Sequence, residues 1–145
     1  MMDELPRERM GCAVEATSHL EFAFEATREY TKERMAFGGP LSNMQTVRHT
    51  MADIKSEIVQ ARLLTDHCME LFATDELDYE TASMAKLTTT ECYQRNVSRL
   101  LQLFGGWGYM WEYPIAKSFA GARVQTIYAG TSEIMRELIS RSIYR

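Results

Sequence analysis

This sequence contains few cysteines, no excess of basic residues and no long hydrophobic run. The spacing of its three cysteines, Cys12, Cys68 and Cys92, fits no metal-binding motif, and an odd number favours a reducing compartment over a disulfide framework. The formal net charge of −4 argues against nucleic-acid binding, which usually needs a clustered basic surface. No hydrophobic run approaches the roughly 18–20 residues that a membrane-spanning helix requires. The first residues also lack the basic and apolar regions of a signal peptide.

The residues that are present indicate one helical domain. Hydrophobic residues make up 46% of the 145-residue chain and charged residues 25%, which is typical of a globular domain of this length. Apolar and small residues recur at steps of three and four almost throughout, and no alternating segment is long enough to favour a sheet. Long helices joined by short breaks predict an all-α fold, an antiparallel up-down four-helix bundle with three long helices and one shorter one.

The helix boundaries can be predicted from capping and breaking residues. Ser42 and Gln45 form a predicted capping box at the start of the second helix, where each side chain would bond a free backbone N–H group. In the last helix, Ile134, Leu138 and Ile139 are expected to face the core. Helices are expected at about 6–35, 42–72, 79–104 and 115–122, with the last one opening at Thr131 or Ser132.

Two glycine-containing segments need more than a simple bundle to explain them. In residues 102–114, QLFGGWGYMWEYP, three glycines fall within four residues, and four aromatic residues follow the first two of these glycines. A helix C-cap explains one glycine, whereas three glycines beside aromatic rings indicate a backbone that lies against a flat or anionic group. The second segment, residues 128–134, YAGTSEI, is a glycine turn that opens the last helix.

Five stretches, in order, carry a resemblance to a known family. They are LPRER at 5–9, RMAFG at 34–38, Gln45, QLFGGWGY at 102–109 and IYAGTSE at 127–133. Together they resemble the C-terminal helical domain of the flavin-dependent acyl-CoA dehydrogenases, and GGWGYMWEYPIAK is especially similar to the long-chain branch. The resemblance extends over essentially all of residues 1–145. It implies that this chain is the C-terminal helical domain, without the N-terminal helical and middle β domains of the family.

The resemblance implies a reaction and a base for it. Family members oxidise an acyl-CoA to the trans-2-enoyl-CoA with FAD as cofactor, and a glutamate removes the α-proton. Most carry that glutamate at the position of Ala129, whereas the long-chain and isovaleryl branches carry it just before an arginine, where Glu8 precedes Arg9 here. We therefore predict Glu8 as the base, with Glu133 as its rival. Without the resemblance, Glu8 is an acidic residue that the dipole favours in a first helical turn.

The resemblance also implies which residues contact the ligands. One group would meet the FAD of a neighbouring subunit: Arg34, Phe37, Gln45, Gln102, Leu103, Phe104, Gly105 and Gly106. Another would meet the FAD of the same subunit: Thr131, Ser132 and Glu133. The expected substrate contacts are Pro6, Arg7, Arg9, Ala129 and Gly130. The guanidinium of Arg34 suits a pyrophosphate because it offers two parallel donors. The capping box explains Gln45 equally well, and Phe37 could simply close a turn.

A shared FAD requires an oligomer, and the resemblance implies a dimer or tetramer. It also implies an acyl-CoA substrate and an electron-accepting flavoprotein as partners, in a bacterial cytoplasm or an organelle matrix. Two alternatives stay open at this point. The chain could be a non-catalytic, truncated oligomerisation module that keeps the family surface, or a generic bundle whose glycines only form turns.

Overall fold

The computed structural model describes residues 5–144, so residues 1–4, considered above for a signal peptide, lie outside it. Its helices and strands are α1 (Leu5–Glu33), β1 (Met35–Ala36), β2 (Gly39–Pro40), α2 (Gln45–Ala73), α3 (Tyr79–Phe104), α4 (Pro114–Gln125) and α5 (Ser132–Ile143). Short 3-10 turns at Leu41–Asn43 and Gly105–Tyr109 precede α2 and α4. The predicted all-α bundle is confirmed. Within residues 5–144, no helix is long and apolar enough to cross a membrane.

The helix α3 lies at the centre of the bundle and packs against α1, α2, α4 and α5. Its Tyr93 is buried, and the hydroxyl donates to the Ser118 carbonyl at 2.9 Å, which ties α3 to α4. Fully burying one large aliphatic side chain such as Leu20, Ile54 or Leu100 stabilises the fold by about 1.5–3 kcal/mol. Because α3 contacts all four of the other helices, each of them buries part of its apolar face against α3.

Small and hydroxyl-bearing residues let the helices approach closely. One face of α3 carries small residues and is buried: Ala82, Ala85, Thr89, Cys92 and Asn96. Between α1 and α2, the hydroxyls of Thr17 and Thr65 hydrogen-bond each other at 2.9 Å. Each hydroxyl also lies within hydrogen-bonding distance of the backbone carbonyl one turn earlier in its own helix. Each hydroxyl has one proton to donate, so one of them bonds its backbone carbonyl while the other can donate across to its partner, and both buried groups have a hydrogen bond.

The second and third helices follow the sequence prediction closely. One face of α2, spaced at steps of three and four, is buried at Val47, Ile54, Ile58, Ala61, Thr65 and Cys68, with Met51 and Phe72 on the same face partly buried. The break at 74–78 contains Asp75 with a positive φ of 60°. Asp78 then caps α3, because its side chain accepts the Thr81 N–H at 2.7 Å. The bounds of α3, Tyr79–Phe104, are those that the sequence predicted.

The predicted capping box at Ser42 is wrong. Leu41–Asn43 form a 3-10 turn, closed by the Met44 N–H bonding to the Leu41 carbonyl at 2.9 Å. As a result α2 begins at Gln45 with Met44 as its N-cap, and no side chain caps it. The turn takes up the residues that would otherwise have capped the helix, which removes the structural alternative offered above for Gln45.

Two further local expectations differ from the structure. Ile134 was expected to face the core of the bundle, yet its side chain is 50% exposed, and Met135 and Ser132 are the buried residues of α5. The glycine-rich stretch after α3 is a 3-10 turn rather than an irregular loop. The strands β1 and β2 also form a small antiparallel hairpin, with Met35 opposite Pro40.

Candidate functional site

An open groove lies where the end of α1 meets the end of α3. It encloses about 610 Å³ and is lined by Arg34 and by all five residues from Gln102 to Gly106. Tyr30, Leu41, Trp107 and Met110 complete the lining. Six of the eight residues predicted to meet a neighbouring subunit's FAD thus line one groove, although they come from segments almost 70 residues apart.

Stacked aromatic rings form the floor of this groove. The rings of Tyr30 and Phe104 stack with centroids 4.1 Å apart and an angle of 19° between planes. Tyr113 packs edge-on against both rings. The Tyr30 hydroxyl also donates to the Phe104 carbonyl at 3.3 Å. Since Phe104 is buried, its ring supports the groove from below and gives it a rigid apolar base.

Two hydrogen-bonding side chains at the groove are not used by the chain itself. Arg34 and Gln102 are exposed. Neither side chain has an ion pair or a hydrogen bond with any residue in the range 5–144. A guanidinium without a carboxylate partner, beside an amide and a bare backbone, is a donor set suited to phosphate oxygens. The residues present therefore fit the pyrophosphate of a dinucleotide.

The three glycines beside the groove are required for different reasons. Gly105 ends α3 with φ 58° and ψ −139°, a conformation open essentially to glycine alone. A Cβ on Gly108 would lie 2.7 Å from the Leu101 carbonyl oxygen. A Cβ on Gly106 would meet no atom within 4 Å. The fold itself explains Gly105 and Gly108, so only Gly106 is left for an external group.

Alanine substitutions at Gly106 and Gly108 distinguish a glycine that the fold does not need from one that close packing requires. Gly106→Ala is expected to change the free energy of unfolding by less than about 0.5 kcal/mol, because its methyl group enters open space. Gly108→Ala is expected to destabilise by about 1–3 kcal/mol through overpacking against backbone. Urea denaturation measures both. Equal destabilisation by the two variants would contradict the division of roles.

The other two residues of this predicted group, Phe37 and Gln45, do not line the groove. Phe37 and Gly38 form the tight turn of the hairpin with φ 53° and 87°, so Phe37 is an aromatic residue in a left-handed conformation. Its ring is 92% exposed. Tyr109 and Trp111, which follow the groove in sequence, are also exposed, at 87% and 62%. Exposed aromatic rings in this number are typical of a surface that meets another molecule.

A second cluster surrounds the turn at Ala129 and Gly130, between α4 and α5. Both residues have positive φ, 53° and 98°. The Gly130 carbonyl accepts a hydrogen bond from the Lys86 ammonium of α3 at 2.5 Å. The backbone N–H groups of Ala129 and Gly130 have no acceptor in the described part of the chain. The turn therefore holds two free backbone donors beside a cation.

One face of α1 packs against this turn. Glu8, Cys12 and Glu15 recur at steps of four and three, so they share a helix face. The Tyr128 hydroxyl donates to the Glu15 carboxylate at 3.1 Å and lies beside the Cys12 thiol. Burial is the main cause that raises the pKa of Tyr128, and the neighbouring Cys12 and Glu15 side chains add to it, so the hydroxyl stays protonated. Glu8 is exposed and lies four residues before Cys12, about 6 Å away along the helix axis.

Two cations are buried behind the turn. Lys86 is 0% exposed and Arg9 is 4% exposed. Arg9 donates to the Ser83 hydroxyl at 3.1 Å and its guanidinium carbon lies 5.7 Å from the centre of the Tyr79 ring, while its Nε has no partner. Desolvation lowers the pKa of both side chains. Neither forms an ion pair with a carboxylate within residues 5–144, so this region carries uncompensated positive charge.

The sequence interpretation missed Lys86. The signal was available, because Lys86 interrupts the buried face of α3 midway between Ala82 and Thr89. The predicted substrate contacts also differ in orientation. Arg9 bonds α3, whereas the Arg7 guanidinium carbon lies 5.7 Å from the centre of the Phe72 ring on α2.

The start of α5 completes the second cluster. Thr131 is the N-cap, with its hydroxyl accepting the Ile134 N–H at 3.4 Å. Ser132 is buried, and its Oγ has no hydrogen-bond partner. Hydrogen bonds from its own backbone N–H and from Thr131 lower the pKa of the exposed Glu133.

Comparison with known proteins identifies the family. The sequence model of the family described as "Acyl-CoA dehydrogenase, C-terminal domain" matches residues 1–144. The chain belongs to the acyl-CoA dehydrogenase family. The mouse mitochondrial long-chain specific acyl-CoA dehydrogenase is 50% identical over 143 residues, which are 99% of this chain and 33% of the mouse protein. The resemblance to the long-chain branch is thereby confirmed.

Solved structures of the family carry the same fold. An acyl-CoA dehydrogenase from Geobacillus kaustophilus is 37% identical with a TM-score of 0.95, over 98% of this chain and 37% of that one. A glutaryl-CoA dehydrogenase from Mycobacterium smegmatis, solved in complex with FADH2, is 26% identical with a TM-score of 0.92, over 96% and 36%. The chain thus spans about a third of the length of these relatives.

Proposed function

We propose that this chain is the C-terminal domain of an FAD-dependent acyl-CoA dehydrogenase that converts acyl-CoA to trans-2-enoyl-CoA with Glu8 as the base. The supporting observation is the shared face of α1. Glu8 lies on the face whose next two turns contact Tyr128, directly before the Ala129–Gly130 turn. Ala129 has no carboxylate to offer, and the α1 face that meets this turn carries two exposed carboxylates, Glu8 and Glu15. Glu15 accepts the Tyr128 hydroxyl, whereas the Glu8 side chain has no hydrogen bond within residues 5–144 and is left for the substrate.

The residues of this chain would divide the work at the substrate. The Glu8 carboxylate takes the α-proton of the acyl-CoA. The free N–H of Ala129 donates to the thioester oxygen, where negative charge develops as that proton leaves. The buried cations Arg9 and Lys86 make the surrounding potential positive, which favours the same charge. FAD, when bound, supplies the acceptor for the β-hydride.

The groove at Arg34 would hold part of the FAD of a neighbouring subunit. Arg34 would pair with its pyrophosphate, and Gln102 would donate to the same nucleotide. Gly106 would let the backbone lie against it, and Phe37 and Gln45 would contact it from the hairpin side. Thr131, Ser132 and Glu133 would meet the FAD of their own subunit at the N-terminus of α5. Such sharing requires at least a dimer, for which the exposed Phe37, Tyr109 and Trp111 supply apolar surface.

The remaining substrate contacts, partners and location follow from the same proposal. Pro6, Arg7 and Gly130 would border the acyl-CoA beside Glu8. An electron-accepting flavoprotein would reoxidise the FAD. The enzyme would act in an organelle matrix, as the mitochondrial mouse relative suggests, or in a bacterial cytoplasm.

A non-catalytic oligomerisation module is the second candidate. The observation that favours it is the exposed aromatic surface in a chain that spans a third of its relatives. A module of this kind would form dimers or tetramers without FAD.

A chimeric enzyme separates the two candidates. In it, this chain replaces the matching 143 residues of the mouse long-chain enzyme, which supplies the rest of the protein. We expect a yellow protein with one FAD per subunit that oxidises long-chain acyl-CoA with a dye as electron acceptor. The mouse enzyme itself is the positive control. A folded, colourless and inactive oligomer would exclude the catalytic proposal and favour the module.

A further inference from the structure

The Lys86 ammonium is unusual because it is fully buried and yet has one hydrogen-bond acceptor within residues 5–144, the Gly130 carbonyl. An ammonium carries three donors, so two are left without an acceptor in this part of the chain. The nearest charged or titratable groups are Cys12, Arg9 and Glu91. Arg9 has the same charge, Cys12 is a thiol with a raised pKa, and Glu91 pairs instead with Arg136 at 3.3 Å, so none of the three forms an ion pair with the ammonium.

Stability alone does not account for a lysine at this position. Burying a cation without an anionic partner is costly, and apolar residues of similar volume often replace such groups with no loss of stability. The neighbouring buried positions of α3 are small or apolar, such as Ala82, Ala85 and Tyr93. A methionine would fill the space of Lys86 without a charge. The position of the ammonium, against a turn that borders the proposed thioester site, indicates a functional reason instead.

We propose that Lys86 is a positioning residue for the thioester site, because it holds the Gly130 carbonyl and with it the Ala129–Gly130 turn that presents the Ala129 N–H group. This inference rests on the proposed function. Ala129 is a non-glycine residue in the left-handed conformation, which costs free energy and persists only when its surroundings fix it. The Lys86 hydrogen bond supplies that restraint from α3. On the other side, the Tyr128 hydroxyl ties the turn to Glu15 of α1.

The direction of the effect follows from which group Lys86 touches. Its ammonium bonds the carbonyl of Gly130, one residue beyond the donor at Ala129. Without it, the turn can relax and the Ala129 N–H loses its alignment with the thioester oxygen. Misalignment weakens the hydrogen bond as charge develops on that oxygen, and leaves ground-state binding of the acyl-CoA largely unchanged. The loss is therefore expected in kcat rather than in KM.

The test is Lys86→Met in the chimeric enzyme. We expect kcat per bound FAD to fall roughly 10-fold, as is common for residues that orient a reacting group, with KM within about twofold. Because removal of the α-proton becomes slower, the kinetic isotope effect with α-deuterated acyl-CoA is expected to rise. The isotope effect does not depend on how much enzyme is folded, so a purely structural role would not change it. Thermal stability is expected to stay equal or to increase.

Two further variants keep the test decisive. Thr90→Val removes a buried hydroxyl that bonds the Lys86 backbone carbonyl in α3 and does not touch the turn, and it is expected to leave both kcat and the isotope effect unchanged. Lys86→Gln is shorter by one atom and cannot reach Gly130, so it carries the same prediction should Lys86→Met fail to fold. A parental kcat and isotope effect in both Lys86 variants would overturn the role of Lys86 alone. An inactive parent chimera would instead overturn the proposed function, and this inference with it.

Discussion

In the chimeric enzyme, Glu8→Gln is expected to lower kcat by about 10²- to 10⁴-fold, the usual contribution of a positioned general base. The amide keeps the size of the side chain but cannot accept a proton. FAD content and KM are expected to change little, since Glu8 lies on the face of α1 that meets the Ala129–Gly130 turn and not at the Arg34 groove. Steady-state oxidation of long-chain acyl-CoA and the flavin absorbance spectrum measure these effects.

Two comparisons make this result specific to Glu8. Glu25→Gln removes a carboxylate from the same helix, where Glu25 pairs with Arg28 at 3.0 Å on the surface, and should leave turnover unchanged. Ala129→Glu in the Glu8→Gln background should restore part of the activity, because it returns a carboxylate to the position used by most of the family. Parental turnover in Glu8→Gln would eliminate Glu8 as the base. Failure of Ala129→Glu to restore any activity would mean that a carboxylate at this turn does not reach the α-proton.

Arg34→Ala is expected to raise the dissociation constant of FAD roughly 10- to 150-fold, which corresponds to the loss of about 1.5–3 kcal/mol for a hydrogen bond to a charged group. The large effect is expected because the Arg34 side chain has no competing partner in residues 5–144 and lines the groove with Gln102 and Gly106. Fluorescence titration of the apoprotein of the chimeric enzyme with FAD measures the constant.

Arg48→Ala is the matched control, since Arg48 is an exposed arginine at the start of α2 that does not line this groove. It should bind FAD with the parental constant. Because the groove would serve the FAD of a neighbouring subunit, Arg34→Ala should also make FAD binding depend more strongly on protein concentration. Identical FAD affinity in Arg34→Ala and Arg48→Ala would exclude this groove as a pyrophosphate site.

The periodicity of the sequence predicted the helices well, because the spacing of apolar residues in a long amphipathic segment shows which face of the helix is buried. The bounds of α3 and the buried face of α2 could be predicted from steps of three and four, since each helix has one face to bury. The start of α2 could not be predicted in this way, because a 3-10 turn and a helix cap compete for the residues around Ser42. Whether Leu41–Asn43 form a 3-10 turn or a cap depends on the hairpin before them, which involves tertiary contacts.

The candidate site was predictable only in part, for a related reason. Arg34 and Gln102–Gly106 carry recognisable motifs, so the sequence indicated their shared role before the groove was seen. Lys86 carries no motif, and its meaning depends on Gly130, which is 44 residues away and reaches it only in the folded bundle. The separate roles of the three glycines also depend on tertiary packing, which the sequence does not show. Sequence reasoning left two of the three glycines to a ligand, whereas packing against Leu101 explains Gly108 and leaves one.

The central position of α3 has a consequence for how this protein is made. Until the 26 residues of Tyr79–Phe104 leave the ribosome, which takes roughly one to five seconds, α1 and α2 have only each other to cover their inner faces. During that interval the nascent chain exposes apolar side chains such as Leu20 and Ile54 to water. A chaperone that shields these side chains should therefore matter most before α3 has emerged, and a pause in translation within α3 should promote aggregation more than a pause within α5.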